Sequence, residues 1–501
     1  MGESMCEGQA GGRRRLVARR LSWACGLLVV LLAAGCMAVG PDYQKPETAV
    51  PEGWRELPDP ALVRDGAVVR EWWTLFDDPL LNDLIAAAEA GNRNLRQAVA
   101  RVKESRARLG VARGERLPQV EAQGSAIRQR GSENSLTGRG YTETLYRTGL
   151  DASWELDLFG RISRSVEAAT ADYQASEEER TDVLVSLYAE VARTYFAVRT
   201  YQARLIATRG NLESQQQVLR LTRSRFENGL ATGLDVAQAE QVLAASQAEV
   251  PVLNTLLAQA IHNLSVLLGQ PPAARYEQLS QIGPIPVPPE AVTVGVPADV
   301  LRQRPDIRRA ERLLAAQTAR IGLAKADLYP RLSLSGTFAF ESIDAGDLFK
   351  GPSRVFGFGP TLRWLLFDGA RVRSQVRVED ARTEQALNFY EQTVLNGLKE
   401  VESAMTEYLE QRERLAALER AVVAAQRSLH LATRLYRDGL VDFQSVLDAQ
   451  RALFDSENLL AMARGNSVIN LVDLYRALGG GWQPGLYGAA APDGVGASGD
   501  N

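Results

Sequence analysis

The longest patterns of apolar and polar positions in this chain have the period of an α-helix. Residues 83–113 place apolar side chains at helical spacing, with a break at Gly91 and Asn92. Residues 161–227 and 371–437 contain no proline and carry alanine-rich faces, so each predicts a single helix about 100 Å long. Helices of this length must pack along one another, as in coiled coils, because a globular core cannot cover them.

Shorter segments between these helices alternate with the period of a β-strand. Residues 331–340 and 355–366 each place large apolar side chains on one face, and residues 146–155 do so more weakly. The predicted apolar faces contain Tyr146, Leu150, Trp154, Leu332, Leu334, Phe338, Phe340, Phe356, Phe358, Leu362, Trp364 and Leu366. Alternation over about ten residues with aromatic ends is typical of transmembrane β-strands. Four strands cannot close a barrel, which needs about eight, so we expect several chains to share one.

The second half of the chain repeats the first at an almost constant offset. Positions 210 residues apart match in the later part of each half, and positions 212 residues apart match in the earlier part. The matched pairs include Gly229 with Gly439, Leu230 with Leu440, Val236 with Val446, Leu268 with Leu478, Gly110 with Gly322, and Pro118 with Pro330. Self-similarity at a long period indicates a duplicated structural unit. The unit is a helix, a strand pair, a very long helix, a tight turn and a helix.

The N-terminus has the features of a bacterial lipoprotein signal. Five arginines precede an apolar run from Leu21 to Ala34, which is too short to span a bilayer as a helix. The run leads into a segment similar to a lipobox with Cys36 as the lipidated residue, although Ala33 replaces the usual leucine. The alternative is an ordinary secretory signal cut nearby. Because Met37 follows in place of aspartate, we expect sorting to the outer membrane of a Gram-negative bacterium, with lipid on Cys36 as a non-spanning anchor.

These patterns predict six segments. They are a signal peptide (1–35), an extended N-terminal arm with a lipid anchor (36–82), a first repeat (83–270), a Pro-rich linker (271–298), a second repeat (299–480) and a flexible tail (481–501).

Composition removes several classes of protein. Cys36 is the only cysteine of the predicted mature chain, so no disulfide forms within it. His262 and His430 lie in helical patterns without a second ligand at metal-binding spacing, so we predict no metal site. The formal charge of −4 becomes −7 without the signal peptide, which provides no basic surface for nucleic acid. No nucleotide-binding or nucleophile motif is present, so we predict neither catalytic residues nor a cofactor besides the lipid on Cys36.

Several ordered motifs resemble one family, the TolC-like outer membrane efflux proteins, and in particular their NodT-type lipoprotein branch. The resemblance covers Cys36 to about Gly480. Its motifs are residues 40–43 behind Cys36, 72–80, 154–161, 304–307, 328–330 and 446–450.

The resemblance implies the architecture and the partners. It implies an α+β membrane protein in which a homotrimer shares a transmembrane β-barrel, four strands per chain, and continues it as a long periplasmic α-helical barrel. Loops 131–143 and 341–353 would face outside, and turns 226–236 and 436–446 would form the periplasmic tip. A periplasmic adaptor and an inner-membrane pump would dock at this tip. The channel would do no chemistry, because the pump supplies the energy.

The resemblance also assigns a gate at the tip. Asp448 matches a family aspartate whose three copies ring the narrowest part of the entrance, and Tyr436 and Asp235 match a hydrogen-bonded latch between adjacent coils. Three carboxylates near one axis attract cations, so this ring would act as an electrostatic filter. From the residues alone, Asp448 is a solvated helix residue. Its mate in the first repeat is Gln238, so the duplication does not require a charge there.

At the predicted tip, two residues depart from the family pattern, and two glycines end the long helices. Ser445 and Val441 stand where some relatives carry a second acidic ring and a latch arginine, so we expect a gate that depends less on charge. Gly229 and Gly439 each end a long helix, where glycine adopts the left-handed conformation at low cost. The following residues, Leu230 and Leu440, would be exposed, and we consider them for adaptor docking in addition to the capping role of the glycines.

Three functions remain open from the sequence. The first is a passive efflux duct for drugs or other small molecules, paired with a resistance-nodulation-division pump. The second is an outer membrane duct for type I protein secretion. The third, a structural coiled-coil lipoprotein, is disfavoured by the four alternating strands.

Overall fold

The computed structural model describes most of the chain outside its two ends. The described residues are 38–55, 59–63, 70–134, 140–289 and 291–482. The predicted signal peptide, Cys36 and nearly all of the predicted flexible tail lie outside them, as do residues 135–139 of the first predicted strand loop.

The elements follow the order predicted from the repeat. The strands are β1 (Leu62–Val63), β2 (Gln119–Arg130), β3 (Thr142–Leu156), β4 (Val292–Thr293), β5 (Arg331–Ser342) and β6 (Arg354–Arg363). The α-helices are α1 (Pro79–Gly91), α2 (Arg93–Gly114), α3 (Arg161–Glu227), α4 (Gly233–Leu267), α5 (Tyr276–Ser280), α6 (Pro297–Gln303), α7 (Pro305–Ala326), α8 (Arg371–Arg437) and α9 (Phe443–Ala477). Short 3-10 helices cover Trp72–Phe76, Ala345–Asp347 and Gly351–Ser353.

The two longest helices agree with their predictions at both ends. The helices α3 and α8 have 67 residues each, and no proline interrupts either of them. The predicted break after α1 is also confirmed. At Gly91 any Cβ would lie 2.1 Å from the carbonyl oxygen of Leu268, and the side chain of Asn92 accepts the backbone N–H of Leu95 to start α2.

Two predicted boundaries were wrong. The first helix begins at Pro79 instead of Asp83, because the Asp78 carboxylate accepts the N–H groups of Leu80 and Leu81 and proline fits the first helical position. The linker over 271–298 stays a prediction, and the structure shows that it contains α5, β4 and the start of α6. The strand predicted over 355–366 ends at Arg363.

The end of β6 has a structural cause. Arg363 pairs with Arg331, the first residue of β5, so the backbone beyond Arg363 has no partner. Trp364 therefore lies outside the strand, and its indole N–H donates to the carbonyl of Leu328 at 3.1 Å. Trp154 makes the equivalent bond in the first repeat.

One compact unit contains the described residues 38–47, 102–176 and 310–390, and its sheet is antiparallel in the order β2–β3–β5–β6. The register aligns the predicted apolar positions across strands, so that Leu150, Phe338 and Phe356 lie side by side. The other face carries polar side chains such as Asp151 and Thr337, which hydrogen bond to each other. The predicted two-faced sheet is confirmed in its pairing.

The apolar face of the sheet is exposed in the single chain. Its aromatic side chains protrude, with Phe358 89% exposed and Phe356 also exposed. The edge strands β2 and β6 leave one row of backbone groups each without a partner in the described chain. A sheet with one exposed apolar face and two free edges is incomplete as a water-soluble structure.

The N-terminal arm is bound to this unit by close backbone packing and one buried arginine. Gly40 has a φ of +99°, and a Cβ there would lie 2.4 Å from the Cα of Gly322. The Arg164 side chain, 4% exposed, donates to the Gly40 carbonyl and to the Asp42 carboxylate at 2.7 Å. The first described residues of the arm are therefore held against this unit, whereas its later part contains the 3-10 helix Trp72–Phe76 and the start of α1.

The second compact unit contains the described residues 48–101, 177–309 and 391–482. Here Trp72 is buried and stacks on Tyr475 at 5.8 Å between ring centroids. By length and mean hydropathy alone, α4 could cross a membrane. Its residues Leu253 and Ile261 are fully buried within the unit, and 33% of its apolar window is buried.

Gly40→Ala tests the packing of the arm. The added methyl group meets the Gly322 backbone, and the positive φ adds strain, so we expect arm docking to weaken by about 1–3 kcal/mol. The measurement is the rate of limited proteolysis of the arm in the purified protein. Gly53→Ala is the matched control, because a Cβ at Gly53 meets nothing within 4 Å. Equal proteolysis rates for the two variants would contradict the docking.

Candidate functional site at the helix tips

Both turns at the ends of the long helices close in the same way. After α3, the N–H of Gly229 donates to the Phe226 carbonyl at 2.9 Å, and the N–H of Leu230 donates to the Arg225 carbonyl at 2.8 Å. After α8, Gly439 and Leu440 repeat this pattern, and both glycines have a φ of +72°. This hydrogen-bond pair is the Schellman motif, which requires a left-handed residue at the glycine position.

The leucines that follow these glycines are exposed. Leu230 is 64% exposed and Leu440 is 70% exposed. The structure therefore places them where the sequence predicted, and their role in docking an adaptor stays a prediction.

The helices α4 and α9, which follow the two turns, carry the carboxylate at different positions of their N-terminal caps. Thr232 caps α4 and forms a capping box with Asp235, whose carboxylate accepts the Thr232 N–H at 2.8 Å. In the second repeat, Asp442 caps α9 and accepts both the hydroxyl and the N–H of Ser445. The hydroxyl and backbone bonds from Ser445 lower the pKa of the Asp442 carboxyl. At the capping position the first repeat has the hydroxyl of Thr232 and the second has the carboxylate of Asp442. Three residues later the order is reversed, with the carboxylate of Asp235 in the first repeat and the hydroxyl of Ser445 in the second.

Asp448 lies on the exposed face of α9. Its carboxylate accepts a hydrogen bond of 2.8 Å from the Gln444 amide, and the Arg451 guanidinium lies 4.0 Å away on the next turn. Among the described residues, its side chain is 63% exposed. The carboxylate is thus available to the space beyond α9, and the gate role of Asp448 stays a prediction.

Tyr436 lies in an apolar cluster that joins the two hairpins of the tip. It is 4% exposed and contacts Phe443 at 5.3 Å between ring centroids. The other buried members of the cluster are Val218, Leu219, Ala239, Val242, Leu429, Val446, Leu447, Ala449 and Leu453. Burial raises the pKa of the Tyr436 phenol, and Asp235 adds to the rise, whereas Thr222 and Arg225 oppose it.

The predicted latch partners are near each other but not bonded. Within the described residues the Tyr436 hydroxyl has no hydrogen-bond partner, and Asp235 is engaged in its capping box. The latch between adjacent coils stays a prediction.

Sequence reasoning missed one residue of the tip, Arg225. Its guanidinium lies over the Tyr436 ring and donates to the carbonyl of Arg437 at 2.7 Å. The repeat contains a signal that could have found it, because Leu435 occupies the equivalent position in the second half.

The chain is similar to known proteins over most of its length. The family model described as outer membrane efflux protein matches residues 84–270 and 296–480. Nodulation protein T of Rhizobium leguminosarum bv. trifolii is 32% identical over 91% of this chain and 96% of its own length. Outer membrane protein OprJ of Pseudomonas aeruginosa is 33% identical over 93% of this chain and 98% of its own length.

A solved structure extends the similarity to the fold. The outer-membrane channel OprN superposes with a TM-score of 0.85 and 38% identity, over 89% of this chain and all of that one. Two matched family segments, relatives aligned over nearly their whole length and a shared fold lead to one conclusion: the chain belongs to the outer membrane efflux protein family.

Proposed function

We propose that three copies of this chain form one channel. The strand β6 of each copy would pair with β2 of the next, which makes a closed barrel from three sets of four strands. The observation that carries this proposal is the incomplete sheet. Its apolar face suits lipid, its polar face suits a water-filled lumen, and its two edges would be unpaired in lipid if the chain stood alone.

The strand directions support closure. All neighbours in the sheet are antiparallel, so β2 and β6 run in opposite directions. An antiparallel pair between β6 of one copy and β2 of the next therefore continues the same pattern around the barrel. Membrane barrels of bacterial outer membranes are built from antiparallel strands in this way.

The channel would be the outer membrane exit duct of a tripartite efflux pump. Small molecules would enter from an inner-membrane pump and a periplasmic adaptor, and would leave passively through a tunnel formed by α3, α4, α8 and α9. A wide duct selects little, so the pump would choose the substrate. The turns at Leu230 and Leu440 would contact the adaptor, since both leucines are exposed apolar residues of the tip.

The N-terminus would be anchored by lipid on Cys36. The docked arm supports this, because the chain from Ala38 onward is held by Arg164 and Gly322 in the unit that contains the strands. Mass spectrometry of the mature N-terminus distinguishes an acylated Cys36 from an unmodified residue.

The gate would consist of three Asp448 carboxylates around the channel axis. Its charge would be moderated by Arg451, which lies 4.0 Å from each carboxylate within the same chain. An arginine beside each aspartate makes a ring that attracts cations less strongly than three bare carboxylates.

An efflux assay tests the exit-duct role. In a strain that lacks its own outer membrane ducts, we expect this chain, expressed with its pump and adaptor, to lower the accumulation of a fluorescent dye several-fold. The pump and adaptor without this chain are the control. Restored export of a secreted protein through an ATP-driven exporter, with no change in dye accumulation, would instead favour type I secretion.

Cysteine pairs across the proposed seam test the shared barrel. The mature chain has no cysteine other than Cys36, so one cysteine in β2 can be combined with cysteines scanned along β6. We expect one register to give disulfide-linked trimers, because paired strands bring Cα atoms within the 4.4–6.8 Å that a disulfide needs. The matched control moves the second cysteine from β6 to β5, an interior strand that does not pair with β2. A chain that stays monomeric in membranes contradicts the proposal.

Asp448→Asn tests the gate. The change removes three charges and keeps the shape, so we expect cation selectivity to fall and block by divalent cations to weaken about tenfold, or about 1.4 kcal/mol. Planar-bilayer recordings measure both quantities. Asp438→Asn is the control, because Asp438 is an exposed carboxylate of the same tip. Unchanged selectivity and block in Asp448→Asn would show that Asp448 is an ordinary solvated residue.

A further inference from the structure

Arg225 contacts both turns of the tip. It lies in the last turn of α3, and one of its guanidinium nitrogens, Nη1, donates to the carbonyl of Arg437 at 2.7 Å. A second nitrogen, Nη2, lies 3.4 Å from the carbonyl of Leu230. The centre of the guanidinium is 4.7 Å from the centroid of the Tyr436 ring. One side chain thus joins the turn after α3 to the turn after α8.

The two acceptor carbonyls, of Arg437 and Leu230, explain why a cation is favoured between the turns. The Arg437 carbonyl belongs to the last residue of α8, and the carbonyls at a helix C-terminus have no partner inside the helix. They carry the negative end of the helix dipole, so a guanidinium between two such ends is favoured. A charged donor also makes a stronger bond to a carbonyl than a neutral one.

The Tyr436 ring links this contact to the apolar cluster. Its face receives the guanidinium as a cation–π partner, and it packs against Phe443 at the start of α9. Phe443 and Val446 of the same helix are buried in the cluster. Displacement of α9 would therefore disturb the ring that Arg225 covers.

The contact that Arg225 makes with the turn after α8 is not repeated at the equivalent positions of the second repeat. The mates of Arg225 and Tyr436 are Leu435 and Phe226, which are both partly exposed in this chain. The second repeat therefore has no arginine at the position equivalent to Arg225. The end of α3 holds the turn between α8 and α9, and the reverse contact does not exist at these positions.

We infer that Arg225 is a positioning residue that holds the α8–α9 turn against the end of α3 and so keeps Asp448 at its place in the tip. This inference rests on the proposed function only for its effect on conduction. It differs from the latch between Tyr436 and Asp235, because it uses the ring of Tyr436 and needs no hydrogen bond from the hydroxyl to Asp235.

The following variants distinguish the positioning role of Arg225 from the hydroxyl latch between Tyr436 and Asp235. Arg225→Ala removes both hydrogen bonds and the cation–π contact. Tyr436→Phe keeps the ring and removes only the hydroxyl, whereas Tyr436→Leu removes the ring. Arg223→Ala is the matched control, since Arg223 lies two residues earlier on α3 and makes an exposed ion pair with Glu240 at 2.6 Å.

The first measurement is tryptic cleavage after Arg437 in purified detergent-solubilised protein, detected by the new N-terminus at Asp438. The scissile carbonyl is the one that Arg225 binds, so we expect about tenfold faster cleavage in Arg225→Ala. Tyr436→Leu should also be cleaved faster. Tyr436→Phe and Arg223→Ala should match the wild type. Equal rates for Arg225→Ala and Arg223→Ala would overturn the inference, and faster cleavage in Tyr436→Phe would favour the hydroxyl latch.

The second measurement is conductance in planar bilayers, with Arg225→Lys added to keep the charge without the planar fork. We expect a higher conductance in Arg225→Ala, an intermediate one in Arg225→Lys and no change in Arg223→Ala. If the wild type conducts and Arg225→Ala does not differ from Arg223→Ala, the positioning role is wrong. If no variant conducts at all, the proposed function fails, and the cleavage rates still decide the role of Arg225.

Discussion

One constraint determines the rest of the structure: every backbone N–H and C=O group that lies in lipid needs a hydrogen-bond partner. The four strands of one chain satisfy this between β2 and β6 but not at the two outer edges. Additional copies with the same edges remove the problem, and the opposite directions of β2 and β6 allow them to do so. The 67-residue helices are long enough to extend far from the membrane.

The duplication supplies the architecture, and the candidate functional residues lie where its two halves differ. Both tip turns use the same glycine and the same pair of backbone hydrogen bonds. The side chains around them differ. The differing pairs are Arg225 and Leu435, Phe226 and Tyr436, Asp235 and Ser445, and Gln238 and Asp448. A symmetric repeat would place identical chemistry on both hairpins, whereas this chain concentrates a buried ring and an exposed carboxylate on the second.

The sequence predicts local periodic features well and contacts between distant residues poorly. The bounds of α3 and α8 could be predicted because a proline-free helical period runs without interruption between Arg161 and Glu227 and between Arg371 and Arg437. The two-residue strands β1 and β4 could not, since they are too short for any period and pair across 230 residues of sequence. The early start of α1 depends on Asp78, a capping contact that periodicity does not reveal. The bond from Arg225 to the carbonyl of Arg437 joins residues 212 positions apart.

Amide hydrogen exchange in a lipid bilayer tests the shared barrel most directly. The account predicts that the amides of Gln119–Arg130 and Arg354–Arg363, the two edge strands, are protected to the same degree as those of the interior strands β3 and β5, because each edge is paired with the next copy. Fast exchange along both edges, with protection confined to β3 and β5, would show that the edges are open and would contradict the shared barrel.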